Sequence, residues 1–399
     1  MASTKGPAME ELVRAYFSRQ GYFALRSVPF RFEDEDVTDV DVWLYSRQAA
    51  SVRIRSIVDV KNKKSPKAFE RVLWVKGLQQ AMRCDRAVVA TTETSSTLVR
   101  FAQTHNISVL SKNFLDKLAK KLDVGERITL EEFVEGVQRY EANKQDGDWL
   151  KILGDAKSAV ASMAGFPAFN RAMFAFRFFG ERVEVRVQHR DAAFRCVLLT
   201  AALACIALDA GLERFVFGDV EQRFAGLIDG VLYGDSGDGK LRSSISSALE
   251  VVTEGLPNGK AIAAQAQEQF NRRLKAVRAD IIAEFFMREH NAQHLFSVAR
   301  ELESAAHVTG DPMQSQLSLE AKSILGVFAD FSGIKRFALK PAQLSQGIGS
   351  HTTADEHVTM SVNAPAIEEL EQTDSKEIEP ENSSEQSAPL QKLIDFNRP

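Results

Sequence analysis

Residues 9–20 (MEELVRAYFSRQ) place Leu12, Val13, Tyr16 and Phe17 at the spacing of one helical face. Gly21 follows, where a helix commonly ends on a left-handed residue. The period then drops to two. FALRSVPFRF (23–32), VTDVDVWLY (37–45) and SVRIRSIVDVKNK (51–63) are short and rich in β-branched and aromatic residues, and predict three strands. Loops of Glu/Asp and then of Ser/Gln/Ala separate them. Ser65-Pro66 opens a helix over about 67–82. RAVVATT (86–92) reads as a buried strand, and Ser95 and Ser96 can cap a helix to about 104. ISVLS (107–111) is another strand, and a helix follows to about 121. This order predicts one mixed α/β domain over 8–122, a mixed sheet flanked by helices.

Past residue 128 the period stays helical. Thr129 with Glu132 forms a capping-box pattern. Apolar-periodic segments follow at 148–163, 167–179, 190–212, 219–232, 240–254, 259–289, 292–306 and 316–331. One alternating run, Val183-Glu-Val-Arg-Val187, reads as a strand. A mostly α-helical domain is thus expected over 128–340, with no internal repeat of fixed period. From 346 to 399 the chain is rich in Ser, Thr, Glu and Gln with hardly an aromatic, which predicts a disordered acidic tail. LQKLIDF (390–396) inside it is either a short docking segment or a frayed end.

With 44% hydrophobic and 26% charged residues in 399, wholesale disorder, collagen-like repeats and a polytopic membrane protein are excluded. The net charge of −4 says little about partners, but its distribution is uneven. The first 122 residues hold 21 Lys/Arg against 13 Asp/Glu, and residues 354–399 hold 3 against 11. Three cysteines, Cys84, Cys196 and Cys205, are too few and too scattered for a disulfide framework or zinc module. A reducing, cytoplasmic location is expected, and no signal-peptide core is visible. The most apolar run, Cys196 to Leu208, is thirteen residues, short of the roughly 20 of a bilayer span, so a buried helix and no membrane partner are expected.

The chemistry concentrates in Thr38-Asp39-Val40-Asp41-Val42-Trp43 and, eighteen residues after Asp41, in Asp59-Val60-Lys61. Residues i and i+2 of a strand share a face. On neighbouring strands, Asp39, Asp41, Asp59 and Lys61 would meet. Crowded carboxylates repel, and desolvation makes this worse. A divalent cation relieves the repulsion, and Mg²⁺ accepts one or two carboxylates completed by water and phosphate. Such a metal polarises a phosphodiester and activates water. Lys61 could orient that water or meet the developing negative charge. Arg53 and Arg55 precede the motif on the same strand face, and Lys63, Lys64, Lys67 and Arg71 follow it. Clustered cations of this kind suit phosphate contacts.

Asp, about twenty residues, then Asp-x-Lys on consecutive strands resembles the PD-(D/E)XK superfamily, the restriction-endonuclease-like nucleases. Holliday-junction-resolvase and Mrr-like variants are nearest. They share a Glu-bearing helix ending in Gly-aromatic, as in Glu10-Glu11-Leu12-Val13 to Gly21-Tyr22. They also share a later helix carrying Gln, as Gln79 and Gln80 do, and then a strand like AVVATT. The resemblance covers residues 8–120. It implies Asp41 and Asp59 as ligands of Mg²⁺ or Mn²⁺ and Lys61 as the catalytic lysine. Glu10 or Glu11 would be an outer ligand or water-holder, and Gln79 would stand at the active-site rim. The second acid is Asp where Glu is commoner, which shortens its reach. The implied activity is metal-dependent hydrolysis of nucleic acid, most often DNA, as in effectors of bacterial restriction or anti-phage systems. The helical half would then sense a signal, bind a protein partner or make a homo-oligomer. The rival expectations are a non-catalytic nucleic-acid-binding module on the same fold and a protein-interaction module.

Three further motifs read as bland. Gly234-Asp-Ser-Gly-Asp-Gly239-Lys240 lacks the Ser/Thr that must follow a P-loop lysine, since Leu241 stands there. His290 and His294 lie one helical turn apart without a third ligand in register. The phenylalanines between Phe166 and Phe179 fit core packing better than a base-stacking platform.

Overall fold

The computed structural model describes residues 5–32, 35–62, 67–122, 127–162, 165–234 and 237–339. The expected disordered tail and Lys63, Lys64, Ser65 and Pro66 lie outside them.

The chain opens with α1 (Lys5–Arg19) and continues through β1 (Phe23–Phe32), β2 (Glu35–Ala49) and β3 (Val52–Lys61). Then come α2 (Ala68–Ala81), β4 (Arg86–Thr91), α3 (Ser96–Thr104), β5 (Ile107–Leu110) and α4 (Lys112–Lys121). The five strands lie in sequence order. β1, β2 and β3 form an antiparallel meander. β4 and β5 add parallel to β3, each through a helical crossover. Pro29, which cannot donate to a ladder, sits on the edge strand. One face of the sheet packs Val42, Leu44, Val58 and Val60 against Met9 and Val13 of α1 and Leu115 of α4.

The other face joins the helical half. Its helices are α5 (Leu130–Gln138), α6 (Trp149–Ser162), α7 (Phe166–Val185), α8 (Arg190–Leu212) and α9 (Val220–Tyr233). They continue through α10 (Gly237–Thr253), α11 (Gly259–Ala276), α12 (Ala279–Phe286), α13 (Glu289–Gln293), α14 (Leu295–Ala306) and α15 (Leu319–Ser332). Phe23, Leu25, Trp43, Tyr45 and Ile57 of the sheet belong to the same apolar cluster as Val72 of α2, Phe169 of α7 and Leu199 of α8. The boundary expected between 122 and 128 therefore separates two textures of secondary structure, not two cores. The strand expected at Val183–Val187 is instead the end of α7 and a following 3₁₀ turn. Its alternation reflects Val183 facing the core and Val185 and Val187 facing solvent. The phenylalanines Phe166, Phe169, Phe176 and Phe179 are core. The helical segment centred on α8 is long and apolar enough to cross a bilayer, yet 83% of its most apolar window is buried inside the fold. Packing accounts for its hydropathy.

A buried ionic network crosses the seam. Arg127 holds Glu303 of α14 with both terminal nitrogens, at 3.2 and 2.7 Å. His307 Nδ1 lies 3.3 Å from the same carboxylate. Lys157 of α6 donates to the Arg26 carbonyl at 3.3 Å, and burial pushes its amine down to about 8. Burial also pushes His307 down to about 4, with Arg127 adding to the effect and Glu303 opposing it. Burial works against the Glu303 charge, but Arg127, His307 and Arg14 together outweigh it and hold the carboxyl at about 2.

An unfolded histidine takes up its proton near 6.5, above the folded value, so acidification favours the unfolded chain. This contribution to stability is complete above about pH 6.5 and is lost as pH falls toward about 4. Urea unfolding at pH 7 and at pH 4.5 should show His307→Gln losing less stability between the two than the wild type. Equal losses would place the acid sensitivity elsewhere.

Candidate metal centre and phosphate site

Asp41 and Asp59 sit where two rows of core residues run past the apolar packing. Tyr45, Trp43 and Asp41 follow one another along one face of β2, and Ile57, Asp59 and Lys61 along the same face of β3. The β2–β3 ladder runs from Ala49↔Val52 to Val42↔Val58. One further step of that register sets Asp41 across from Asp59, but there the backbone pairing stops. Asp41 Oδ2 instead accepts from the Val60 amide at 2.6 Å. A carboxylate thus takes the place of a strand carbonyl, and the strands part around it. On the other side of β2, Ser27 occupies the β1 position opposite Asp41 in the register Arg26↔Val42, Val28↔Val40. Its φ is +46°, a left-handed value that costs a non-glycine residue roughly 1–2 kcal/mol. The backbone is therefore twisted where the acids converge.

Lys61 joins the two. Its Nζ lies 3.3 Å from Asp41 Oδ2 and 3.4 Å from Asp59 Oδ1. Burial raises the Asp41 pKa; the Val60 amide and Lys61 oppose this, while Asp59 and Glu10 add to it. Asp59 is 5% exposed, and Arg71 of α2 grips it, Nε donating to Oδ2 at 3.0 Å and Nη2 to Oδ1. The Arg71 guanidinium also stacks 4.0 Å over the Trp74 ring. The acids are thus already opposed by two side-chain cations, so their charge is tolerated without the divalent ion that crowding alone suggests. Asp39 takes no part and is exposed.

The other candidates divide. Glu10 is held by Arg26 Nη2 at 3.0 Å and acts on Asp41 electrostatically. Glu11 is buried and turns to Arg14 at 2.7 Å, Arg26 at 3.3 Å and Arg127 at 3.8 Å, inside the ionic seam. Glu10 is thus the helix acid on the side of the centre. Gln79 is not at its rim: it donates to the Asp85 carbonyl at 3.0 Å and accepts from Lys76 at 3.1 Å, tying α2 to the start of β4. Asp85 precedes the strand end that pairs Ser56, opposite to the Asp59 end.

Arg53, expected to contact phosphate, is turned inward onto α8. Its side chain is 5% exposed, with Nε 2.8 Å from Asp209 of α8. Arg55 donates to the Arg83 carbonyl at 2.8 Å and stands about 13 Å along the strand from Asp59. Parity put both arginines on the right face, but strand length carries them away from the site. Lys67 is exposed, 3.3 Å from Glu70, at the start of α2. Lys63 and Lys64 lie outside the described residues.

Family models, curated proteins and solved structures, compared with this chain, yield no match. The reading of the centre therefore rests on its own geometry. Among the described residues, no three His, Cys, Asp or Glu side chains converge as one metal-binding group. His290 and His294 pair ring to ring at 4.8 Å, and among the described residues no third ligand joins them. The donor chemistry of Asp41 and Asp59 still fits a hard divalent cation: two carboxylates at an opened strand end, beside exposed surface, with water and phosphate completing the shell. The competitor for Asp59 is Arg71. The sequence flagged Arg71 only as one of several cations. The stronger signal was topological, because a β3–α2–β4 crossover returns the first turns of α2 over the carboxyl end of β3.

Proposed function

We propose that the chain is a divalent-metal-dependent phosphodiesterase acting on nucleic acid, with DNA as its substrate class. The observation that carries this reading is the convergence of Asp41, Asp59 and Lys61, the ammonium within 3.4 Å of both carboxylates at the end of a buried row. Asp41 and Asp59 would hold the cation, which when bound would supply Lewis-acid polarisation of the phosphodiester. Lys61 would hold the attacking water or meet the charge that develops on the phosphoryl oxygens. The Val60 amide fixes Asp41, so that acid is positioned before any substrate arrives. Glu10 adds negative potential from α1.

A second reading has its own support. Arg71 and Lys61 already neutralise the two acids, as in a phosphate-binding module with no hydrolytic role. The test is cleavage of plasmid and oligonucleotide DNA with Mg²⁺, with chelator, and in Asp41→Asn. The hydrolase reading expects Mg²⁺-dependent cleavage that falls by a hundredfold or more in Asp41→Asn, with DNA affinity retained. DNA binding with no metal-dependent cleavage in the wild type would establish the second reading.

A further inference from the structure

Arg71 occupies the oxygens that a cation at Asp59 needs. Its fork spans both Oδ atoms of a carboxylate that is 5% exposed. A divalent ion and a guanidinium cannot share that carboxylate in the same geometry, because both are positive and both take the in-plane lone pairs. Lys61 meets a single oxygen of each acid, Asp59 Oδ1 at 3.4 Å and Asp41 Oδ2 at 3.3 Å, and does not span the two Oδ atoms of Asp59. Arg71 also has somewhere to go. Its side chain is 23% exposed, and its guanidinium rests on the half-exposed face of Trp74, which can support it through a swing. Lys67 stands one turn before it at the N-cap of α2, exposed and in a surface pair with Glu70. A guanidinium moved outward from Asp59 along Trp74 would present the same fork to a phosphate.

We propose that Arg71 is a metal-displaced latch: it closes on Asp59, and it turns onto the phosphate backbone of the bound strand when a divalent cation takes the Asp41–Asp59 pair. This rests on the hydrolase reading and adds an order of events to it. Metal and nucleic acid then help each other, because the ion frees the arginine that the phosphate uses. By linkage the help is reciprocal.

The test uses the full chain as wild type, Arg71→Gln and Arg71→Lys. Mg²⁺ affinity is read by calorimetry without DNA. DNA affinity is read by fluorescence anisotropy with Ca²⁺, which fills the site as a probe, and with chelator. Arg71→Gln should bind Mg²⁺ about tenfold more tightly than wild type, since a charge-assisted fork no longer competes. Arg71→Lys, which keeps charge without the fork, should fall between. Ca²⁺ should tighten DNA binding in the wild type and do so much less in Arg71→Gln. Equal Mg²⁺ affinity in wild type and both variants would overturn the latch and leave the metal centre standing. An equal Ca²⁺ effect on DNA in wild type and Arg71→Gln would overturn the transfer to phosphate. No Mg²⁺ binding in any of the three would overturn the latch together with the metal-dependent reading beneath it.

Discussion

Lys61→Ala should cut the cleavage rate by about a hundredfold or more while Lys67→Ala stays within a few-fold of wild type. The two lysines flank the same strand-to-helix connection, so a general loss of positive charge would affect them alike. Their surroundings differ. Lys61 reaches both carboxylates, at 3.3 and 3.4 Å, whereas Lys67 is exposed and pairs with Glu70 at the surface. Removing Lys61 leaves Asp59 held by Arg71 and Asp41 held by the Val60 amide, so the acids keep their places. Mg²⁺ affinity should then hold or rise, because a neighbouring positive charge has gone. DNA affinity should change little, since one phosphate contact among several is a small part of the total. The measurement is a single-turnover rate at saturating Mg²⁺, alongside a Mg²⁺ titration of each variant. Similar rates for the two variants would remove Lys61 from the chemistry.

Asp209→Ala should destabilise the fold by about 3–5 kcal/mol, the usual cost of stripping one partner from a buried ion pair. Asp209 of α8 is 1% exposed. It accepts from the Tyr45 hydroxyl at 2.6 Å and from Arg47 at 3.1 Å, and it meets Arg53 Nε at 2.8 Å. These three partners come from β2 and β3. Without the carboxylate, the buried Arg53 guanidinium is left uncompensated and the Tyr45 hydroxyl loses its acceptor. Asp209→Asn keeps an acceptor for Tyr45 and should lose less. Urea unfolding at pH 7 distinguishes these outcomes. A loss under about 1 kcal/mol for the alanine variant would show that the seam reorganises around water instead.

The elements were legible because their periods are clean. Three strands of period two, two further short strands and a long helical half follow from residues such as Val40, Val42 and Leu44, or Val197, Leu198 and Ala201, whereas the alternation at Val183–Val187 belongs to a helix end. The candidate centre was legible for the same reason, since alternation put Asp41, Asp59 and Lys61 on one face. What alternation does not carry is distance along the strand. Arg53 and Arg55 share that face but stand at the other end, where burial against α8 and the β4 turn claims them. Gln79 fails in the same way, because its helical position says nothing about which end of the sheet it approaches. The shared core was hidden for a different reason. Trp43 and Tyr45 look like the interior of a self-contained α/β domain, and nothing local says that α6 and α8 complete it. Arg71 was visible as a charge, but its grip on Asp59 depends on how the crossover folds back.

The covering of Trp43, Tyr45 and Phe23 by the helical half also bears on synthesis at the ribosome. β3 is complete at residue 61, whereas the cover of this face extends to Phe296 of α14, whose ring packs on Tyr45. At 5–20 residues per second, roughly 10 to 50 s separate the emergence of β3 from that of the last part of the cover, α14. Until α6 and α8 follow, one face of a half-built sheet is apolar and unshielded, with β1 as an open edge, and the cover stays incomplete for the rest of that interval. A nascent chain of this design would rely on holding factors, or on slow pairing of its first strands, until α14 arrives.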